Sequence, residues 1–235
     1  MIFSHPHVVS AFSRRPRNMS LSYGDTASSL TNRRDFLAPL DIDYRDLVCA
    51  RQVHAAHVAC VTESHRGRGA LTCEDALPDT DAFVTDTANV PVAVFTADCL
   101  SVFLYAPAKG VIGLIHAGWR SSKEEICTKA VQLMSQAFGA DPADIHAVLG
   151  PCLRPCCYEV GDEFNSYFPA DVNGRQGKYY LDLAGVNKRQ LIAGGVRQAH
   201  IVDTGICTSC QKDEFFSFRR EGRQTGRMMS VMMLR

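Results

Sequence analysis

The densest hydrophobic pattern of the chain lies between residues 80 and 119. β-Branched and aromatic runs are separated there by two turns, Asn-Val-Pro at 89–91 and Pro-Ala-Lys-Gly at 107–110. Apolar runs of this kind, bounded by turn residues, predict a succession of β-strands. Residues 46–63 alternate well enough between apolar and polar positions to predict one or two further strands, with His54 inside.

The next segment, residues 121–139, has helical periodicity instead. One face of it carries the apolar residues Ile126, Ala130, Leu133, Ala137 and Phe138. Ser121 and Glu124 have the spacing of a capping box, and Gly139 suits a helix end. The pattern therefore predicts an amphipathic helix over this range.

The rest of the pattern mixes both kinds of element. We predict helices at 158–168 and 181–200, and strands at 144–152, 201–208, 215–222 and 226–234. Neighbouring strands often lack an intervening helix, which favours a mixed sheet of α+β class. Residues 1–30, rich in Ser, Arg and Asn, are expected to be loosely structured, and residues 31–235 to form a single domain.

Composition narrows the class of protein but not its chemistry. The 235 residues are 46% hydrophobic and 21% charged, which is typical of a globular protein with a sizeable core. Because 25 basic residues balance 25 acidic ones, the net charge gives no argument for nucleic acid or an anionic membrane as a partner. The same balance favours neither a monomer nor a homodimer. No apolar run could span a bilayer and the N-terminus lacks the order of a secretory signal, so we expect a cytoplasmic protein.

Candidate chemistry begins with His116, which ends an apolar run just before Ala-Gly-Trp-Arg. A histidine in a turn commonly has both nitrogens satisfied by protein partners, which is the structural interpretation. The helix start that follows offers unpaired N–H groups and a positive dipole end, and Arg120 and Lys123 lie beside it. Together these features indicate an anion site.

Two other segments supply nitrogen and sulfur donors. Cys99 interrupts an apolar run beside Asp98, either as a core cysteine or as a reactive thiolate. His54 and His57 are three residues apart. In a helix they would share a face, whereas in a strand they would point to opposite sides, so that one of them is not expected to be a ligand. If His54, Cys99 and His116 meet in space, they form the three-ligand set of a catalytic zinc with an open fourth position.

The ten cysteines offer a competing metal site. In a chain of this length without a signal, free thiols or metal ligands are favoured over a disulfide framework. Cys-Thr-Ser-Cys at 207–210 and Cys-Leu-Arg-Pro-Cys-Cys at 152–157 could together hold a structural zinc, although the spacing of the second segment is irregular. Only His-Pro-His at 5–7 has the form of a multi-copper motif, and eight histidines are few for such a site.

Seven blocks of the sequence, in their order and spacing, resemble the YfiH family. Its members are also called laccase-domain or polyphenol oxidase proteins and purine nucleoside phosphorylases. The resemblance covers about residues 30–235, and its blocks are RQVHAAHV, TDAFVTD, TADCLSVFLY, GLIHAGWRSS, LGPCLRPCCYEVGDEF, LDLAGVNKRQL and FFSFRREGRQTGRMMSVMML. It implies a single α+β domain layered as α/β/β/α, related in shape to the catalytic domain of cytotoxic necrotizing toxins.

The resemblance also implies a metal site and an activity. The family's zinc ligands match His54, Cys99 and His116, and copper is an alternative metal. The implied reactions are phosphorolysis of adenosine, inosine, guanosine and methylthioadenosine, with adenosine deamination as a side activity, so the partners are a purine nucleoside and phosphate. Ala55 stands where the family usually has Gly, and Ser121-Ser122 where it has Gly-Thr, which bears on substrate range.

For this chemistry we predict a role for each of several residues. His54, Cys99 and His116 are the catalytic metal ligands that the resemblance implies. Arg120 is expected to bind phosphate, with Arg33 as a second candidate. Asp98 is expected to orient a ligand histidine or the ribose hydroxyls. One aromatic ring could stack on the purine, although core packing is the alternative for each of Phe215, Phe216 and Phe218.

Three alternatives stay open. The first is a metal-free amide hydrolase acting on peptidoglycan precursors, in which Cys99 is the nucleophile and His116 or His54 its base. The second is a copper-dependent polyphenol oxidase. The third is a zinc-stabilised scaffold without catalytic activity.

Overall fold

The computed structural model describes residues 2–3 and 5–235. The strands are β1 (Val8–Phe12), β2 (Val58–Cys60), β3 (Ala82–Thr85), β4 (Val92–Thr96), β5 (Leu100–Ala106), β6 (Val111–Ala117), β7 (His146–Leu149), β8 (Glu159–Val160), β9 (Val172–Arg175), β10 (Lys178–Leu181), β11 (Ile201–Asp203) and β12 (Met228–Leu234). The α-helices are α1 (Thr26–Leu37), α2 (Trp119–Lys123), α3 (Ile126–Phe138), α4 (Phe164–Tyr167), α5 (Leu183–Ala193) and α6 (Phe218–Glu221). Within these ranges no helix combines the length and the apolar character that crossing a bilayer requires.

Two sheets pack face to face and form the centre of the fold. The larger has the strand order β11-β7-β5-β6-β3-β2 and is antiparallel except at its edges, where β11 pairs parallel with β7 and β2 with β3. The smaller has the order β1-β12-β4 and is antiparallel. Helices α3 and α5 cover the outer face of the larger sheet, and α1 covers that of the smaller. The predicted α+β class with α/β/β/α layers is therefore confirmed.

The strand succession predicted at 80–119 is confirmed as β3 to β6, and its central strands are buried on both faces. In β5, Val102 and Leu104 pack toward the helices, while Phe103 packs toward the smaller sheet. A strand covered on both faces has a continuous apolar run. Each fully buried Leu or Phe side chain contributes about 1.5–3 kcal/mol, so β5 and β6 give a rigid base to the residues at their ends.

The helix predicted at 121–139 is two helices in the structure. Glu125 adopts a left-handed conformation with φ 61°, which separates α2 from α3. Ser121 closes the first turn of α2, where its Oγ accepts the N–H of Gly118 at 3.0 Å, rather than capping a longer helix. Gly139 ends α3 with φ 66°, as predicted.

Further segments differ from the sequence-based expectation. Residues 158–168, predicted as a helix, contain strand β8 before the short helix α4. Residues 1–30 are not loosely structured throughout, because Val8–Phe12 form β1 and pair along their length with β12. The partner of this strand lies at the other end of the chain, where local pattern gives no sign of it. Residues 215–222, predicted as a strand, contain helix α6 instead, with Ser217 as its N-cap.

Candidate metal and active site

Three predicted ligands come together at one end of the central strands. Cys99 precedes β5 and His116 lies near the end of β6, and the pairing of Leu100 with Ala117 makes them neighbours. His54 enters from the loop before β2. One donor atom of each residue lies within 4.8 Å of the others, and Cys99 Sγ is 3.8 Å from His54 Nε2. His57 lies outside this cluster, with its Nδ1 3.1 Å from the hydroxyl of Thr80.

Asp81, which the sequence analysis did not single out, orients both histidines. Its carboxylate is fully buried and accepts a hydrogen bond from His116 Nδ1 at 2.7 Å, which leaves His116 Nε2 to face the cluster. The same carboxylate accepts the N–H groups of Val53, His54 and Ala55 at 3.0–3.1 Å. Burial alone would raise the pKa of Asp81, but these hydrogen bonds and the charge of His116 hold it below its usual value.

The backbone at His54 is held in a conformation that this residue type rarely adopts. Its φ is 62°, in the left-handed region. Such a conformation costs on the order of 1–3 kcal/mol and persists where the surroundings impose it. Here it aims three successive N–H groups at one carboxylate, in the manner of an anion-binding nest. The loop thereby places the His54 ring against Cys99.

Asp98 makes contacts that the sequence analysis did not predict. Its carboxylate accepts the hydroxyls of Thr208 and Ser217 at 2.6 and 3.0 Å and the N–H of Arg219 at 2.6 Å. Among the described residues it has no hydrogen bond to either ligand histidine, so the carboxylate that orients His116 is Asp81. The other predicted task of Asp98, to orient the ribose hydroxyls, stays a prediction. Through these hydrogen bonds, Asp98 holds residues 208–219, which precede β12, against the start of β5.

Cys99 and His116 form a coupled acid–base pair. Burial raises the pKa of the Cys99 thiol, but the charge and hydrogen bonds of His116 and His54 lower it to about 6. Burial lowers the pKa of His116, but Cys99 and Asp81 raise it to about 9. At neutral pH the metal-free cluster therefore holds a thiolate beside an imidazolium, and the thiolate is the form that binds metal or attacks an electrophile.

The donor set fits a borderline or soft metal ion. Two imidazoles and one thiolate are ligands typical of zinc, and they also suit copper, whereas Mg²⁺ and Ca²⁺ prefer oxygen. Gly118 leaves the space that this arrangement needs, because a Cβ at that position would lie 2.8 Å from His54 Cδ2 and 3.3 Å from Cys99 Sγ. The three residues could thus hold a metal and leave a position open.

The cluster opens into a cavity of about 740 Å³. Arg120 is exposed on its wall, 4.3 Å over the ring of Trp119, and its guanidinium has no hydrogen bond to any residue in the described ranges. Of the three candidate stacking rings, Phe218 lines the cavity, while Phe215 and Phe216 are buried in a core cluster.

Arg33 also borders the cavity, but the structure corrects its assignment as a phosphate ligand. It is 2% exposed, and its Nε and Nη1 donate to the carbonyls of Met19, Gly69 and Ala70 at 2.7–3.3 Å. Its guanidinium lies 4.7 Å over Phe95. These contacts commit Arg33 to holding three chain segments together.

The chain belongs to the family described as multi-copper polyphenol oxidoreductase laccase, whose model matches residues 3–235. The predicted resemblance to YfiH proteins is confirmed by the structure of YfiH from Bacillus licheniformis, which is 32% identical, covers 97% of this chain and 93% of that one, and has a TM-score of 0.93.

Relatives of the chain have names that refer to nucleosides. Purine nucleoside phosphorylase YlmD from Geobacillus stearothermophilus is 39% identical over 225 residues, or 92% of this chain and 82% of the relative. The crystal structure of YlmD from the same organism has a TM-score of 0.94 at 34% identity and covers 98% of this chain and 93% of that one. Adenosine deaminase RL5, from an unknown prokaryotic organism, is 36% identical over 214 residues, or 87% of this chain and 81% of the relative.

Proposed function

We propose that the chain is a zinc-dependent purine nucleoside phosphorylase that also deaminates adenosine. The observation that carries this proposal is the convergence of His54, Cys99 and His116 at the floor of a cavity of about 740 Å³. The names of the relatives support the substrate class. When bound, zinc would supply Lewis acidity that activates water or an oxyanion at neutral pH.

The residues of the cavity have separate tasks in this proposal. Arg120 binds phosphate, since its guanidinium is exposed and free of partners among the described residues. Phe218 stacks on the purine from the cavity wall. In phosphorolysis a phosphate oxygen forms a bond to C1′ of the ribose as the C1′–N9 bond breaks. The electron pair leaves with the base, which takes up a proton.

The test is direct product analysis. Purified protein is incubated with adenosine or inosine, with and without phosphate, and free base, ribose-1-phosphate and inosine are separated by chromatography. We expect phosphate-dependent release of base, lost in Cys99→Ala and retained in Cys60→Ala, whose thiol is exposed outside the cavity. A folded, zinc-loaded protein that converts no nucleoside would refute the proposal.

A second candidate function rests on the same residues. Cys99, His116 and Asp81 are arranged in space like a nucleophile, its general base and the carboxylate that orients the base. This supports a thiol-dependent amide hydrolase, for which peptidoglycan precursors are the substrates that the resemblance to the YfiH family implies. Stoichiometric zinc that is lost on Cys99→Ala would count against it, because one thiolate cannot readily serve as both ligand and nucleophile.

The copper oxidase alternative has less support. Among residues 2–3 and 5–235, the clusters of three or more candidate ligands are the one described above and a group of four cysteines. Neither has the several histidines that a multi-copper site requires.

A further inference from the structure

Four thiols form a second cluster away from the candidate active site. They belong to Cys156, Cys157, Cys207 and Cys210, and their sulfur atoms all lie within 4.8 Å of one another. The first two come from the turn after β7, and the last two from the loop after β11. Two chain segments that are distant in sequence thus present four donors to one point.

The distances between the sulfurs match tetrahedral metal coordination. Cys210 Sγ is 3.6 Å from Cys156 Sγ and 3.4 Å from Cys157 Sγ. In a tetrahedron with Zn–S bonds of about 2.3 Å, neighbouring sulfurs are about 3.8 Å apart. A disulfide requires an S–S distance of about 2.05 Å. Cys210 is also similarly close to two partners, which a single S–S bond cannot satisfy.

The surroundings of Cys207 stabilise negative charge on its sulfur. The backbone N–H groups of Cys210 and Arg154 point at this sulfur. Four thiolates gathered at one point repel one another, and a divalent cation would offset that repulsion. Arg220 donates to the carbonyls of Thr208 and Ser209, inside the turn that carries two of the thiols, at 2.9 and 2.8 Å.

We propose that Cys156, Cys157, Cys207 and Cys210 bind a structural zinc ion. Four thiolates with no open position are the donor set of a structural rather than a catalytic site. The irregular spacing of the adjacent pair is accommodated because the turn from Arg154 brings both sulfurs to the same side.

This zinc joins two walls of the cavity. The turn that carries Cys156 and Cys157 continues into Tyr158, which lines the cavity. Thr208, in the loop between Cys207 and Cys210, donates to the Asp98 carboxylate. Binding of the ion therefore stabilises the cavity from outside, whichever reaction the cavity performs.

The test is metal stoichiometry of the full chain by elemental analysis. We expect two zinc ions in the wild type, one in Cys99→Ala, one in Cys210→Ser and two in the matched control Cys60→Ser, whose exposed thiol belongs to neither cluster. A wild type with a single zinc ion that Cys99→Ala removes and Cys210→Ser retains would overturn the proposal without affecting the proposed function.

Cobalt substitution keeps the test decisive if Cys210→Ser fails to fold. In Cys99→Ala protein the first cluster has lost its thiolate, so any strong thiolate-to-cobalt absorption must come from the four cysteines. We expect that absorption to appear on loading reduced Cys99→Ala protein with Co²⁺. Its absence from folded protein would refute the site.

Discussion

Replacement of Asp81 by Asn tests whether one buried carboxylate organises the metal cluster. Asp81 accepts four hydrogen bonds, one from His116 Nδ1 and three from the N–H groups of residues 53–55. Asn has nearly the same shape but no charge, and its NH₂ group must face donors in place of one carboxylate oxygen. A hydrogen bond to a charged group contributes about 1.5–3 kcal/mol, so we expect the free energy of unfolding to fall by at least this amount.

The decisive quantity is zinc affinity at the His54, Cys99 and His116 site. Loss of a partner that orients a ligand typically lowers metal affinity about 10–100-fold, which corresponds to about 1.4–2.7 kcal/mol. Competition with a chromophoric chelator measures the affinity, and chemical denaturation measures stability.

Asp98→Asn is the matched control. Asp98 is also buried and accepts three hydrogen bonds, and Asn tolerates its φ of 88°. Because Asp98 has no hydrogen bond to a ligand histidine among the described residues, this variant should lose stability while it keeps its zinc affinity at the cluster. Equal affinity losses in the two variants, or an unchanged affinity in Asp81→Asn, would show that the carboxylate does not organise the ligands.

Three further predictions concern the same cavity. Gly118→Ala should lower zinc affinity at the cluster with little change in circular dichroism, because the new Cβ would lie 2.8 Å from His54 Cδ2; unchanged affinity would contradict the close approach. In metal-free protein, the alkylation rate of Cys99 should stay high as the pH falls and drop near pH 6, because protonation removes the reactive thiolate. His116→Gln should move this drop to higher pH. A drop at the same pH in the variant would mean that His116 does not stabilise the thiolate. Arg120→Gln should raise the KM for phosphate by about tenfold without changing the zinc content. This factor corresponds to the loss of about 1.4 kcal/mol of binding free energy from a charge-assisted hydrogen bond. An unchanged KM would exclude Arg120 as the phosphate ligand.

Sequence pattern predicted those parts of the site that depend on strand ends. His116 and Cys99 each break an apolar run, and the runs are long because β5 and β6 are buried on both faces. A polar residue that ends a buried apolar run indicates a position at the edge of the core, and this local signal was sufficient to single out both residues. The resemblance implied that they meet, and the structure shows that the antiparallel register of the two strands brings them together.

Asp81 could not be assigned in the same way, because its contacts depend on the tertiary arrangement. It lies just before β3, and the pairing of Ala82 with Ile115 brings it beside His116. The sequence-based choice of Asp98 relied on its position next to Cys99. Asp98 lies in the bend between β4 and β5, with φ 88°, and its carboxylate bonds to Thr208, Ser217 and Arg219, so adjacency to Cys99 did not bring it to the histidines.

The two roles of Asp81 link the positions of two metal ligands through one carboxylate. The left-handed conformation of His54 costs on the order of 1–3 kcal/mol, and three hydrogen bonds to a carboxylate more than offset it. The fourth hydrogen bond fixes the ring of His116. Since the same carboxylate sets the backbone of one ligand and the side chain of another, we expect the loss of Asp81 to disturb both ligands at once.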